Sequence, residues 1–156
     1  METATWERLA SGDECPFDSP RPDSTDHWDK VCTLSASTLY LSTNQTYRGQ
    51  CLLILDIRHA TRPGDLTADE WAAFCADLRR AEQAIGLVVN PNHVNVAALG
   101  NLVPHLHWHI IPRYRTDPRW GSPIWPSTLA DMPETKHSVD EKHQLIGAIR
   151  QALGNE

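Results

Sequence analysis

Three histidines at alternate positions, His105, His107 and His109, are the residues of this chain whose spacing best suits chemistry. In a β-strand successive side chains point to opposite faces, so the three imidazoles would share one face while the apolar residues between them share the other. The chain has eight histidines, and a merely solvated sheet face does not explain why three of them are in register. The pattern predicts a strand with a chemical face and a core face.

A metal ion and a phosphate group are the two ligands that suit such a row. The outer two Cα atoms of the row would be about 13 Å apart, so two imidazoles, but hardly three, could meet at a zinc ion with bonds of about 2.0–2.1 Å. A phosphate chain is itself extended and offers several oxygens to several donors. An imidazole with one unprotonated nitrogen can also attack phosphorus, while neighbouring N–H groups donate to the developing charge. The row therefore favours phosphate chemistry with a histidine nucleophile.

Four segments of the chain have the patterns of β-strands. Residues 37–43 alternate polar and apolar side chains, as in a half-buried strand, and residues 51–57 are apolar on both faces, as in a central strand. Two further strands are predicted at residues 93–99 and 105–111. The turn residues Gly100-Asn101 between them predict that the two strands form a hairpin.

Two helices are predicted by capping boxes. The first begins at Thr67 and should stop at Gly86, and the second begins at Ser138 and should stop at Gly154. Strands, one long crossing helix, more strands and a terminal helix predict an α+β domain with a mainly antiparallel sheet.

Two segments have little periodicity. Residues 1–36 carry scattered Pro, Ser and Asp and predict an irregular N-terminal arm ahead of a domain that spans residues 37–156. Residues 113–136 contain too much proline for a regular element and predict a long ordered loop. Its Trp120 and Trp125 could stack on a base or pack across a dimer, and we favour the dimer because aromatic anchors dominate interfaces.

Composition and charge narrow the classes of function. The 156 residues make about one domain, and 20 acidic against 14 basic residues give a net charge of −6, which argues against a nucleic-acid polymer or a membrane surface as partner. The chain has neither a membrane-length apolar run nor a signal-peptide pattern, which predicts a cytoplasmic protein. Its four cysteines lack a Cys-x-x-Cys spacing, which predicts free thiols.

Three arginines follow the predicted triad strand, namely Arg113, Arg115 and Arg119. They either hold outer phosphates of a substrate or pair with acids such as Asp117.

The run from His105 to Ile111, His-Leu-His-Trp-His-Ile-Ile, resembles the motif of the histidine triad superfamily. The similarity to the bacterial branch of that superfamily extends to residues 47–49, 58–60 and 99–113, and so covers about residues 37–126. The resemblance implies a nucleotidyl hydrolase or transferase acting on nucleoside phosphates. It also implies a homodimer of five-stranded antiparallel sheets that needs no cofactor.

The resemblance assigns roles to individual residues. His107 would attack the α-phosphate, His109 would contact it and His105 would orient the row, while His59 matches an upstream histidine that supports the triad. Three amides match polar positions of the family, namely Asn101 and Asn95 near the phosphate and Asn44 near the ribose.

The chain departs from the family pattern at two places. Leu102 stands where many members have a hydroxyl that helps the leaving group. Some members bind a structural zinc through an N-terminal Cys-x-x-Cys, whereas this chain has Cys15-Pro-Phe-Asp18, so we expect no metal. Two alternatives stay open: a metal-dependent phosphohydrolase or lyase that uses two triad histidines and an acid, and a non-catalytic nucleotide-binding scaffold.

Overall fold

Five strands form one antiparallel sheet in the structure, a computed structural model that describes residues 3–126 and 133–154. In chain order they are β1 (Trp28–Thr33), β2 (Ser37–Ser42), β3 (Cys51–Leu55), β4 (His93–Ala97) and β5 (His107–Arg113). Their order across the sheet is β1-β2-β3-β5-β4, with every neighbouring pair antiparallel. The predicted α+β architecture is confirmed, as is the pairing of the two strands around Gly100. The triad strand β5 has a neighbour on both sides.

Three α-helices accompany the sheet: α1 (Thr3–Ala10), α2 (Ala68–Val89) and α3 (Val139–Gly154). Both predicted capping boxes are confirmed, because Thr67 and Glu70, like Ser138 and Glu141, exchange side-chain to backbone hydrogen bonds. Helices α2 and α3 pack on one face of the sheet. The core there joins buried residues of the strands and helices, among them Leu39, Leu53, Ile110, Phe74, Ile85 and Ile149.

The predicted stop of α2 at Gly86 is wrong, because the helix continues to Val89 and ends at Asn90 in the left-handed conformation. Val89 explains the extra turn. It packs so closely on Gly49 that a Cβ added there would lie 3.0 Å from both Val89 methyl groups. Burying this valine outweighs the helix cost of one glycine, which is about 1 kcal/mol.

The interpretation of residues 1–36 as irregular is wrong for two segments, α1 and β1. Strand β1 pairs with β2, but a register shift between Lys30 and Cys32 breaks the alternation that would have predicted it. Residues 15–17 of the arm lie on the sheet face opposite the helices, where Phe17 packs with Tyr40 of β2. Strand β2, predicted to be half-buried, is therefore buried along its whole length.

Across residues 3–126 and 133–154, no helix combines the length and the apolarity needed to cross a membrane. The four cysteines are free, as predicted.

Candidate active site

The triad row lies on the sheet face that points away from α2 and α3. Trp108 stacks on Phe74 of α2 with ring centroids 6.0 Å apart, so His107 and His109 on either side of it point to the opposite face. Across the pairing with β4, the neighbour of His109 is Ala97, whose small side chain leaves room beside the imidazole. The prediction of a chemical face and a core face is confirmed.

Hydrogen bonds define which nitrogen of His107 carries the proton. The Nδ1 atom of His107 lies 2.6 Å from the backbone oxygen of His105, and because a carbonyl only accepts, Nδ1 is the donor. In the neutral ring the Nε2 atom then holds a free lone pair. That atom lies 3.2 Å from Nε2 of His109, so His109 donates its Nε2–H to it. The structure thus presents one unprotonated nitrogen and one N–H donor side by side.

Burial keeps both rings neutral. It lowers the pKa of His107 below its usual value, although the bond to the His105 carbonyl opposes this shift. Burial, and next the neighbouring His107, lower the pKa of His109 to about 4. The Nδ1 atom of His109 is buried and has no hydrogen-bond partner among the described residues. At neutral pH Nε2 of His107 therefore stays unprotonated, as a nucleophile requires.

Two aromatic rings flank this pair from opposite ends of the chain. Phe17 of the arm meets His107 edge-on with ring centroids 5.0 Å apart. Trp125, which follows β5, meets His109 edge-on at 5.3 Å. Both rings exclude water from the imidazoles, which strengthens any electrostatic interaction made there.

A second group of polar side chains lies beside the first triad histidine. Ligand atoms of Cys15, Asp18, His59 and His105 all lie within 4.8 Å of one another. The Nε2 atoms of His105 and His59 face the carbonyls of Leu55 and Ala10 at 2.9 and 3.1 Å, so both rings carry their proton there. Their unprotonated Nδ1 atoms face the same Asp18 oxygen at 3.2 and 3.1 Å.

Acceptors that face one another in this way fit a bound cation. A tetrahedral ion with bonds of about 2.0–2.3 Å places its ligand atoms about 3.3–3.8 Å apart. The contacts of Asp18 with the two imidazoles, and the 3.8 Å between the Cys15 sulfur and His105 Nδ1, are close to those separations. We expected no metal from the sequence because Asp18 replaces the second cysteine of the family's zinc motif. That reason is wrong, since a carboxylate is a zinc ligand too.

Of the other predicted site residues, His59 lies beside the triad. Its ring centroid is 5.2 Å from that of His105, and its supporting role stays a prediction. Asn95 accepts a hydrogen bond from Arg113 at 2.7 Å. The amide of Asn44 donates to Pro133 at 2.9 Å. Asn44 also lines a cavity that His109 borders, and its role near a ribose stays a prediction. Asn101 is exposed between β4 and β5 and forms no hydrogen bond with any described residue.

Arg113 pairs with an acid, which is one of the two alternatives that the sequence left open for Arg113, Arg115 and Arg119. Its side chain is buried with that of Asp117, at 2.8 Å. All five of its N–H groups have acceptors, which are both Asp117 oxygens, Asn95 and the backbone oxygens of Arg119 and Ser122. Arg113 therefore has no donor left for a phosphate.

Sequence reasoning missed Phe17 and the contact between Trp125 and His109. Neither carries a local signal, because each reaches the triad from a segment without periodicity. Cys15 and Asp18 did carry one, since their spacing is that of the family's metal motif with one ligand exchanged.

A five-stranded antiparallel sheet with three histidines at alternate positions, two of them joined through Nε2, defines the histidine triad class. The HIT domain family matches residues 28–116, more than half of the 156-residue chain. The chain belongs to this family.

Solved structures support the same assignment. A histidine triad protein from Bradyrhizobium japonicum is 28% identical with a TM-score of 0.74, covering 81% of this chain and 91% of its own. One from Marinobacter aquaeolei VT8 is 21% identical with a TM-score of 0.73, covering 83% and 90%. The diadenosine triphosphate hydrolase of Plasmodium falciparum is 16% identical with a TM-score of 0.60, covering 85% and 88%. A comparison with curated proteins found no match.

Proposed function

We propose that the chain is a nucleotidyl hydrolase or transferase that acts on nucleoside phosphates through a covalent intermediate on His107. The observation that carries the proposal is the Nε2 atom of His107, which the bond from Nδ1 to the His105 carbonyl leaves unprotonated and which accepts the N–H of His109. Membership of the HIT family supports nucleotide hydrolysis. A structural neighbour named as a diadenosine triphosphate hydrolase supports the same class of substrate.

The reaction begins when Nε2 of His107 attacks the α-phosphorus. A nitrogen–phosphorus bond forms, and the bond from phosphorus to the leaving group X breaks with its electron pair on X. His109 then has no lone pair to cap, so its Nε2–H can donate to a phosphoryl oxygen. In the second half water adds to phosphorus and the electron pair of the nitrogen–phosphorus bond returns to His107. Water supplies the proton of HX and the hydroxyl of the nucleotide, and another acceptor in its place makes the reaction a transfer.

A polar cavity beside His109 suits the nucleoside. It measures about 670 Å³, and Leu52, Gln50 and Lys136 are among its lining residues. Asn44 lines the same cavity, at the position for which the family resemblance implies a residue near the ribose. No cofactor takes part in these steps.

A divalent cation would be held by Cys15, Asp18, His59 and His105. When bound it would supply the positive charge that the facing acceptors lack and fix the tautomer of His105. The carbonyl of His105 holds His107, so these ligands would steady the nucleophile. Only one triad histidine belongs to this set, so the alternative that uses two of them as ligands gains no support.

We also propose that the protein works as a cytoplasmic homodimer. Strand β4 forms an edge of the sheet, and near it Val96, Leu99 and Leu102 are exposed. An unpaired edge beside exposed apolar side chains is typical of a contact surface.

The test is to trap the intermediate. During turnover of a dinucleoside polyphosphate or a nucleoside phosphoramidate, the enzyme is quenched in acid-free denaturant, because a phosphoramidate is acid-labile, and any adduct is mapped by mass spectrometry. We expect the nucleotidyl group on His107 and no adduct in His107→Ala. The matched comparison is Asn101→Ala, which should lose far less activity than His107→Ala.

An adduct on another residue, or near-normal turnover by His107→Ala, would contradict the mechanism. Nucleotide binding without any release of X would instead favour the non-catalytic scaffold.

A further inference from the structure

A short run of the N-terminal arm, residues 15–18, contacts two histidines of the triad. The Phe17 ring lies edge-on to both, with its centroid 5.0 Å from that of His107 and 6.2 Å from that of His105. The Asp18 carboxylate lies 3.2 Å from Nδ1 of His105. Because the carbonyl of His105 in turn holds His107, the orientation of both rings depends on how firmly residues 15–18 are held on the sheet.

Arg21 holds that run through three separate hydrogen bonds. Each nitrogen of its guanidinium donates to a different segment: Nη1 to the backbone oxygen of Phe17, Nη2 to the Asp56 carboxylate after β3, and Nε to the Tyr40 hydroxyl of β2 at 3.1 Å. Thr38 of β2 donates to the other oxygen of Asp56 at 2.6 Å. Arg21 therefore ties the backbone of Phe17 to two neighbouring strands of the sheet.

The ion pair between Arg21 and Asp56 is better suited to positioning the arm than to stabilising the fold. The Arg21 side chain is only 2% exposed and that of Asp56 is 21% exposed. Replacing a buried ion pair by well-packed apolar side chains is often neutral or stabilising, so the attraction of the two charges alone does not account for this pair. A guanidinium adds a rigid planar fork, whose donors fix direction as well as distance.

A row of packed aromatic rings also connects Arg21 to the nucleophile. The guanidinium carbon lies 5.5 Å from the centre of the Tyr40 ring. Tyr40 packs on Trp28 and Trp28 packs on Phe17, with centroids 5.5 and 5.7 Å apart. Closely packed side chains transmit a displacement to their neighbours. Arg21 thus acts on Phe17 by two routes, the hydrogen bond to its backbone and this row of rings, and Phe17 touches His107.

We propose that Arg21 is a positioning residue for the nucleophile, which it orients through Phe17. The inference rests on the proposed function, because it takes Nε2 of His107 as the atom that attacks phosphorus. Attack is fastest when the lone pair points along the new bond, and a misplacement of about 1 Å can cost about 10²-fold in rate. By fixing Phe17, Arg21 limits the His107 ring to the orientation in which Nε2 faces the site.

A double-mutant cycle tests whether Arg21 acts through Phe17. Arg21→Lys keeps a positive charge beside Asp56 but loses the planar fork, so adduct formation from a saturating nucleoside phosphoramidate should slow by up to about 10²-fold. The loss should fall on kcat and not on KM, because neither Arg21 nor Phe17 lines the polar cavity beside His109. Phe17→Leu should slow the same step, and the double variant should be no slower than the slower single variant.

Lys142→Met is the matched control, because Lys142 also joins two elements through a largely buried ion pair. It lies 2.6 Å from Asp29, with the two side chains 23% and 19% exposed, and so joins α3 to β1. Helix α3 packs on the sheet face opposite the triad. At a temperature at which every variant is folded, Lys142→Met should keep the wild-type rate. An equal loss of rate in Lys142→Met and Arg21→Lys would mean that Arg21 only stabilises the fold, which would overturn the proposal.

A spectroscopic measurement on the free protein separates this proposal from the proposed function. The nuclear Overhauser effect between the ring protons of Phe17 and His107 reports their contact without turnover. It should be present in the wild type and in Lys142→Met, and it should weaken in Arg21→Lys. An unchanged effect in Arg21→Lys, or single losses of rate that multiply in the double variant, would overturn the positioning role and leave the proposed function in place. A weakened effect in Arg21→Lys, with no adduct in the wild type, would support the positioning of His107 and refute the proposed function.

Discussion

Replacing Arg113 by alanine tests how much of the site depends on one buried ion pair. The side chains of Arg113 and Asp117 are only 5% and 2% exposed, so alanine would leave Asp117 as an uncompensated buried charge. It would also remove the donors from Asn95 and from the backbone oxygens of Arg119 and Ser122.

Breaking a buried pair by removing one partner costs about 3–5 kcal/mol of the free energy of unfolding. In a domain of this size that loss lowers Tm by about 6–20 °C. The double variant Arg113→Met with Asp117→Leu removes both charges and should recover part of the loss. Trp125 should also lose its fixed position against His109, so activity should fall at temperatures where the variant is still folded.

The chain offers a matched control in Arg62, which pairs with Asp65 three residues away at 3.0 Å. The Arg62 side chain is 79% exposed, so Arg62→Ala should change stability little. Thermal and denaturant unfolding of the two alanine variants measure the difference. Equal effects of Arg113→Ala and Arg62→Ala, or a loss below about 1 kcal/mol for Arg113→Ala, would refute the reasoning.

Three further predictions concern the pH profile, the metal and the assembly. Because burial lowers the pKa of His107 and takes the pKa of His109 to about 4, the nucleophile keeps its lone pair until the pH falls below the usual histidine value. The acid limb of kcat/KM should therefore lie below pH about 6.5, and a midpoint at or above that pH would contradict the assignment. Zinc added to metal-free protein should raise the Tm of the wild type but not that of Asp18→Asn, and an equal rise in both would show that the ion binds elsewhere. Light scattering at micromolar concentration should give about twice the chain mass of 17.5 kDa, and the mass of one chain would exclude the dimer.

The sequence predicts the triad strand to within two residues at each end, 105–111 against the observed His107–Arg113, because its signal is local. His105 lies just before the strand. Alternation at His105, His107 and His109 requires only that the segment be a strand, and Trp108 between them then has to face the core. The capping box at Thr67 is local in the same sense. The end of α2 is not, because it depends on the packing of Val89 against Gly49, two residues that are distant along the chain.

The parts of the site that the sequence could not predict are those that cross from one segment to another. Phe17 reaches His107 only because the arm folds over β2 and β3. Asp18 gains its meaning as a candidate ligand only from two histidines that lie 41 and 87 residues further along the chain. Such contacts follow from tertiary packing, which the pattern of a short sequence segment does not predict.

The reactive histidines lie inside the segment that the family model matches, whereas the aromatic rings around them lie outside it. This difference indicates which residues select the substrate. Residues 28–116 are what the family shares, and they hold the three histidines and the carbonyl of His105 that sets the tautomer of His107. Both aromatic rings that touch the reactive pair, Phe17 and Trp125, lie outside that segment. A histidine nucleophile needs the same tautomer whatever group leaves, whereas recognition of that group depends on the surfaces around it. We therefore expect different parts of the molecule to carry the shared chemistry and the selectivity of this chain. Exchanging the loop after β5 should change which X is cleaved, while the intermediate should still form on His107.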